Sequence, residues 1–576
     1  MIDNNRTYNT LAVGRSPFPV GRSPFSVGRS PSAVPRSPSA VYFIGIGGIG
    51  MSALARYYKH AGAQVAGYDR TPSPLTADLE REGIAIHFHD DVALIPPAFT
   101  AAPAGTLVIY TPAVPANHSE LNYFANNHYT LIKRSKALGH IAATKTTLAV
   151  AGTHGKSTIS TMLAHLLAQA GGGCTAFLGG IAKNYNSNLL LSDAPVLVAE
   201  ADEFDRSFLQ LFPHIAVITA TDADHLDIYG SAGEVRKAFA DFARQVQPGG
   251  ALIIKEGVEV FSAGGGADLP RPDGHPLGEG EMSPAGGGAR RAGVDNPPPA
   301  CGHPLGEGDN PFPVPRSPFT VYRYSADRPC DFYADNIRLT DNGLPQFDLH
   351  LLHTVLRDCV LGVPGRMNVE NAVAAAAAYY LYASPETSVT CNQASVTCNQ
   401  TSVTRNQTSV TCNEEPALRA ALASFSGVQR RFDVQLNTPA CTYVDDYAHH
   451  PEELRAAITS LREAWPNRRI TGIFQPHLYT RTRDFADDFA KSLDLLDRLI
   501  LLDIYPAREE PLPGVTSQII FSRMSLADKT LCRKDALMAL LAKEPVDLLA
   551  TFGAGDIDRF VTPITELLHR RCHETK

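Results

Sequence analysis

The residues Gly152-Thr153-His154-Gly155-Lys156-Ser157-Thr158 combine the groups needed to hold a chain of phosphates. The glycines let backbone N–H groups turn inward, Lys156 can reach the outer phosphates, and the Ser157 hydroxyl can hold Mg²⁺. The apolar run Leu148–Ala151 precedes the loop, and Ile159, Met162, Leu163, Leu166 and Leu167 follow it at helical spacing until Gly171-Gly172-Gly173. Strand, glycine turn and helix in that order bring the positive end of a helix dipole to an anion. The glycines stand closer together than in the common G-x-x-x-x-G-K-[ST] form. The competing reading is an ordinary strand–helix turn with a surface lysine.

A second glycine turn, Gly45-Ile46-Gly47-Gly48-Ile49-Gly50, lies between the apolar run from Val41 and a helical pattern, with Asp69 ending the next strand. That spacing suits a dinucleotide, with Asp69 on a ribose, but a UDP-linked sugar would use the same glycines. Two nucleotide-type turns in one chain favour a reaction that joins a nucleotide-linked substrate to ATP chemistry over a simple dehydrogenase. Two acidic clusters follow successive apolar runs: Glu200, Asp202, Glu203 and Asp205, then Asp222, Asp224, His225 and Asp227. Carboxylates at strand ends beside a phosphate loop are where Mg²⁺ ligands belong. Spacing does not say which acid binds.

The elements that must position these groups alternate short apolar runs with helical patterns, as βαβ units do. The runs begin at Val41, Leu107, Val196, Ile215, Tyr443, Ile470, Leu499 and Val546. Breaks near 145 and 425 divide the chain into three α/β domains with mostly parallel sheets. These are a Rossmann-like N-terminal domain (41–145), a P-loop ATPase-type central domain (146–425) and a Rossmann-like C-terminal domain (426–576). Three biased tracts interrupt the pattern: the seven-residue repeats of 1–40, a Pro/Gly-rich stretch at about 263–318, and a second period-seven array at about 387–413. Such compositions do not bury enough apolar surface to offset ordering entropy, so they are expected to be tails or surface loops.

The 576 residues carry a net charge of −8, which argues against nucleic-acid and membrane-surface partners. No early apolar run is long enough to span a bilayer or serve as a signal-peptide core. The ten cysteines form no C-x-x-C pair, and Cys391, Cys398 and Cys412 fall inside the third tract. A reducing, cytoplasmic setting and a monomer or weak homodimer are the expectations.

Further segments complete a pattern: Pro364-Gly365-Arg366-Met367-Asn368-Val369-Glu370-Asn371, Gly427-Val428-Gln429-Arg430-Arg431, Asp445-Asp446-Tyr447-Ala448-His449-His450-Pro451, Phe474-Gln475-Pro476-His477 with Arg481, and Phe552-Gly553-Ala554-Gly555-Asp556. With the phosphate loop and the acidic clusters, they resemble the Mur ligase family, the ATP-dependent amino-acid ligases of peptidoglycan precursor synthesis. Gly45 to Ser52 is most similar to the branch that joins L-alanine to UDP-N-acetylmuramate.

The resemblance implies that ATP phosphorylates the lactyl carboxylate and that the amino group of L-alanine attacks the acyl phosphate. It implies catalytic roles for Lys156, His225, Arg431 and His449. ATP contacts fall to 152–158, Asn368, Asn371, Arg431 and Asp446, and Mg²⁺ ligation to Ser157, Glu200 and His225. Gly45, Gly47, Gly48, Gly50 and Asp69 are the expected UDP-sugar contacts, more loosely with Thr111 and His118. Tyr447, His449, His477 and Arg481 are expected to form the alanine pocket, with Arg481 as the carboxylate clamp. Relatives often carry histidine at the Met367 position, arginine at the Leu478 position and threonine at the Ser157 position. The competing readings are the branch that recycles an intact tripeptide and, in another class, a nicotinamide-dependent oxidoreductase.

Overall fold

The computed structural model describes residues 38–101, 103–222, 226–261, 319–384, 414–507 and 509–574. Nearly all of the three biased tracts, and His225 with Asp224, lie outside the described residues.

The first sheet holds β1 (Ala40–Ile44), β2 (Gln64–Tyr68), β3 (Ala85–His87), β4 (Thr106–Tyr110) and β5 (Thr130–Lys133), in the order β3-β2-β1-β4-β5. Every pairing in it is parallel. The chain reverses direction across the sheet between β1 and β4, so a crevice opens at their carboxyl ends, where the first glycine turn leaves β1.

The second sheet runs β15-β14-β13-β12-β11-β10-β6-β9-β7-β8. Its strands are β6 (Thr146–Ala151), β7 (Thr175–Ala182), β8 (Ser187–Leu190), β9 (Val196–Glu200), β10 (Ile215–Ile218), β11 (Ala251–Lys255), β12 (Thr320–Ser325), β13 (Phe332–Leu339), β14 (Pro345–Leu351) and β15 (Thr354–Val360). The central strands are parallel. Both edges turn antiparallel, at β13-β14-β15 and at β7-β8. The turn Asp341-Asn342-Gly343 between β13 and β14, with Gly343 at φ +76°, is the kind of hairpin signal that closes such an edge.

The third sheet contains β16 (Asp433–Asn437), β17 (Thr442–Asp446), β18 (Ile470–Phe474), β19 (Arg498–Leu502), β20 (Lys529–Cys532) and β21 (Leu548–Phe552), ordered β16-β17-β21-β18-β19-β20. It is parallel except for β16 against β17.

The first two sheets share a core. Phe43 of β1 and Leu54 of the helix Ile49–His60 that follows it belong to one buried apolar cluster with Ala149, Phe177 and Leu197 from the second sheet. At that junction Asn188, fully buried, donates to the Ile49 carbonyl (2.5 Å) and the Ser52 hydroxyl (2.9 Å) and accepts from Arg56 (2.6 Å). The third sheet packs around separate apolar clusters. It joins the second through a short bridge, in which Lys183 N–H donates to the Gly427 carbonyl (3.0 Å) and Gln429 N–H to that of Ile181 (2.9 Å). Lys183 also pairs with Asp433 at 2.6 Å.

Candidate active site

The register of β6 sets the height of the site. Ala151 pairs with Ile218 of β10, and Val150 pairs with Glu200 of β9. The loops after these three strands therefore leave the sheet side by side. Gly152 takes φ +130°, and a Cβ there would lie 2.0 Å from the Thr219 hydroxyl, so only glycine fits. The helix Lys156–Ala170 starts directly after Gly155. Its apolar face packs beside the helix Arg366–Ala383, whose residues 372–378 are all fully buried.

Above these strand ends lies a cleft of about 400 Å³ between the second and third sheets. It gathers Thr153 to Thr158, Asn368 and Asn371 from one side and Arg431 and Asp446 from the other. It also takes in Asp222, Lys255, Tyr324, Met367, Glu370, Glu452 and Glu453. Of these, Asp222, Met367 and Glu370 lie in segments that stand out in the sequence, the rest lacking any motif to mark them. Asn371 donates to Asn368 (3.2 Å), which donates to the Pro364 carbonyl (2.7 Å), so the two amides are held as a unit.

Lys156 reaches the Gly152 carbonyl at 2.7 Å and pairs with Glu203 at 2.7 Å. Burial would lower its pKa, but the charges of Glu203, Glu200 and Asp202 outweigh it and hold the ammonium above its ordinary value. The neighbouring acids are committed too: Asp202 pairs with Arg134 (3.1 Å) and Asp205 with Lys133 (2.9 Å). Glu200 receives the Gly179 N–H at 3.1 Å and forms no ion pair among the described residues. A Cβ on residue 179 would sit 2.1 Å from the Glu200 carboxylate, so glycine is what admits this side chain. Of the four acids in this cluster, Glu200 is the one that forms no ion pair among the described residues. Its carboxylate and the buried Ser157 hydroxyl are hard oxygen donors of the kind Mg²⁺ takes. Among the described residues no group of three or more His, Cys, Asp or Glu side chains is arranged to hold a metal.

His154 sits between Asp222 (3.3 Å) and Glu453 (3.2 Å). Burial works against its charge, but the two carboxylates prevail and lift it to about 9. Asp446, buried at the end of β17, accepts the N–H groups of Phe432 (2.6 Å) and Ala448 (2.7 Å), and desolvation pushes it up to about 7. The Arg431 guanidinium lies over the Tyr447 ring at 4.8 Å.

On the third sheet, Asp446 and Phe474 both pair with Phe552 of β21, so the loops after β17 and β18 emerge level on either side of it. This brings Tyr447, His449 and His477 into a row of rings, with centroids 5.2 Å and 5.8 Å apart. Arg481, buried, follows in the helix Tyr479–Asp484. His449 Nδ1 faces the Tyr447 carbonyl (3.0 Å) and Glu453 (3.3 Å). With two acceptors facing it, Nδ1 carries a proton.

The first glycine turn stands apart from the cleft. Asp69 accepts the Gly47 N–H (2.7 Å) and the Thr71 N–H (3.1 Å), bracing the turn rather than projecting from it. Gly45 (φ +88°) abuts Thr111, and His118 pairs with Asp90 at 3.2 Å.

Three family models match the chain: the Mur ligase family catalytic domain over 40–146, the Mur ligase middle domain over 150–263, and the Mur ligase glutamate ligase domain over 430–555. A UDP-N-acetylmuramate–L-alanine ligase of Parabacteroides distasonis is 46% identical over 536 residues, 93% of this chain and 98% of its own length. This chain belongs to the Mur ligase family. A relative of the same name from Porphyromonas gingivalis is 45% identical, covering 92% of this chain and 99% of its own. Among solved structures, the UDP-N-acetylmuramate–alanine ligase of Thermotoga maritima superposes with a TM-score of 0.65 at 23% identity, covering 93% of this chain and 100% of that one. A murein peptide ligase from Psychrobacter arcticus gives 0.57 at 19%, over 92% and 98%. The chain shares its fold, three α/β domains with mostly parallel sheets, with these two structures.

Proposed function

We propose that this chain joins L-alanine to the lactyl carboxylate of UDP-N-acetylmuramate, with ATP converted to ADP and phosphate, in peptidoglycan precursor synthesis. The observation that carries the reading is the cleft itself. A phosphate loop forms one wall, and Arg431 and Asp446 of another domain form the opposite one. The names of the two similar relatives, each aligned over nearly its whole length, supply the substrates.

ATP lies with its phosphates on the N–H groups of 153–157 and its base toward Asn368 and Asn371. The lactyl carboxylate oxygen attacks the γ-phosphorus, ADP leaves, and Lys156 shifts from Glu203 onto the transferring oxygens. Arg431 adds a second positive charge there, since charge builds on those oxygens in the transition state. Ser157 and Glu200, with His225, are the residues that would hold Mg²⁺, whose chemistry is to neutralise phosphate charge. The glycine turn from Gly45 to Gly50 takes the UDP diphosphate, and Asp69 keeps that turn in shape.

Arg481 clamps the alanine carboxylate beside Tyr447 and His477. His449 Nε2 accepts the proton of the alanine ammonium. The free amine then adds to the acyl carbon, and the tetrahedral intermediate expels phosphate and forms the amide. Closure of the third domain over the cleft keeps water from the acyl phosphate. Among the described residues no helix is long and apolar enough to cross a membrane.

The test is ADP release across a panel of amino acids with UDP-N-acetylmuramate fixed. The expected result is turnover that needs L-alanine, UDP-N-acetylmuramate and Mg²⁺ together. Turnover only with a preformed tripeptide would overturn the L-alanine assignment.

A further inference from the structure

Glu453 attracts no notice in the sequence, where it is one of two glutamates after His450-Pro451. In the structure it is the third residue of the helix Pro451–Ala464, and its carboxylate receives the N–H groups of His449 (3.0 Å) and His450 (3.2 Å). That much is a helix cap, which glutamine would make equally well. The same carboxylate does two things a cap does not need. One oxygen lies 3.2 Å from Nδ1 of His154 in the phosphate loop, and the other lies 3.3 Å from Nδ1 of His449. His154 is held from behind by Asp222 at 3.3 Å. The side chains of Glu453, His154 and His449 are 15%, 23% and 17% exposed, so water competes weakly for these bonds. A continuous polar line therefore runs from the end of β10, through the nucleotide loop, across the domain boundary and into the row of rings at Tyr447, His449 and His477.

We infer that Glu453 is a positioning residue that couples the nucleotide loop to the amino-acid pocket, orienting His449 for the incoming amine when the third domain docks on His154. The inference rests on the assignment of the two pockets under the proposed function and goes further, because it makes a phosphate-loop histidine a determinant of amino-acid binding. His154 reaches the amino-acid pocket through the Glu453 carboxylate. When that pairing is absent, Glu453 keeps its cap bonds and its contact with His449 Nδ1, but its other oxygen is no longer held by the phosphate loop, so the carboxylate that orients His449 is fixed from one side alone.

The experiment is a double-mutant cycle of Glu453→Gln and His154→Gln in the full chain. KM for L-alanine, KM for ATP, kcat and the thermal midpoint are measured for each variant. Glutamine at 453 retains the cap and His154→Gln leaves it whole, so both single variants should stay folded at the assay temperature, with a midpoint lowered only by the ion pairs they lose. Each should raise KM for L-alanine by about fivefold or more, and the double variant should be no worse than either alone. The telling result is His154→Gln, since a residue serving only phosphate binding would change KM for ATP and leave L-alanine untouched. A His154→Gln variant with the parent KM for L-alanine, or single effects that multiply in the double, would overturn the inference while leaving the function intact. If Glu453→Gln is unfolded at the assay temperature, His154→Gln decides alone, because it leaves the cap whole. A parent without L-alanine-dependent ADP release would overturn the proposed function, and this inference with it.

Discussion

Replacing Lys156 by methionine, and then adding Glu203→Gln, separates folding from chemistry at the phosphate loop. The Lys156 and Glu203 side chains are 14% and 3% exposed and lie 2.7 Å apart. Methionine keeps most of the lysine stem but leaves Glu203 without its counter-ion. Removing one partner of a buried pair costs about 3–5 kcal/mol. For a domain of roughly 200 residues, that lowers the thermal midpoint by roughly 6–20 °C. The loss should be smaller in acidic buffer, where Glu203 takes up a proton and needs no partner. Adding Glu203→Gln removes the orphaned charge and should recover more than half of the midpoint. Turnover should not return, because the lost cation is worth about a hundredfold or more in transition-state stabilisation. Differential scanning fluorimetry and a coupled ADP assay read the two effects separately. A methionine variant that melts within about 2 °C of the parent, or a double variant that regains turnover, would refute the reasoning.

Other residues give independent checks. His154 has a folded pKa of about 9 against an ordinary 6.5, so its pairing adds stability that is complete below about 6.5 and is lost as pH rises through about 9. That difference is worth at most about 3 kcal/mol. The gap in thermal midpoint between the parent and His154→Gln should therefore close in alkaline buffer, and a gap that persists would contradict the assignment. Glu200→Gln can still accept the Gly179 N–H, so it should melt like the parent yet need far more Mg²⁺ for turnover. An unchanged Mg²⁺ titration would remove Glu200 from the metal site. Asn188→Ala removes three bonds at the junction of the first two sheets, although Arg56 keeps its pair with Glu82 and the Ile49 carbonyl keeps the Ser52 hydroxyl. It should cost about 1–3 kcal/mol in urea unfolding, and no change there would mean that this junction is not held by Asn188.

The strand–loop–helix units were legible because they are local. Gly152 to Thr158, and Gly45 to Gly50, declare themselves through spacing that one turn of backbone requires, and the helix of 156–170 begins where its apolar period begins. The antiparallel edge from β13 to β15 was harder to see. A short run paired inside a hairpin reads like one buried in a parallel sheet, and the turn at 341–343 was the signal that would have separated them. The sequence marked many of the residues that line the cleft and not the bonds between them. Lys156 against Glu203, and His154 between Asp222 and Glu453, depend on which strand ends and which domains face each other. Composition and period carry nothing about that. Lys255 and Glu370, an ion pair at 2.8 Å on the wall of the cleft, meet only because β11 ends beside the helix of 366–383.

The apolar cluster common to the first two sheets has a consequence for selectivity. Because Phe43 and Leu54 are packed into the same interior as Ala149 and Phe177, the distance between the two glycine turns is set by side-chain volume and does not vary with the swing of the remaining lobe. Those turns then act as a ruler. Under the proposed function, a molecule that anchors its diphosphate at one turn would present its acid to the other only if the intervening length is right, and one that is a sugar too long or too short would be rejected before any bond is made.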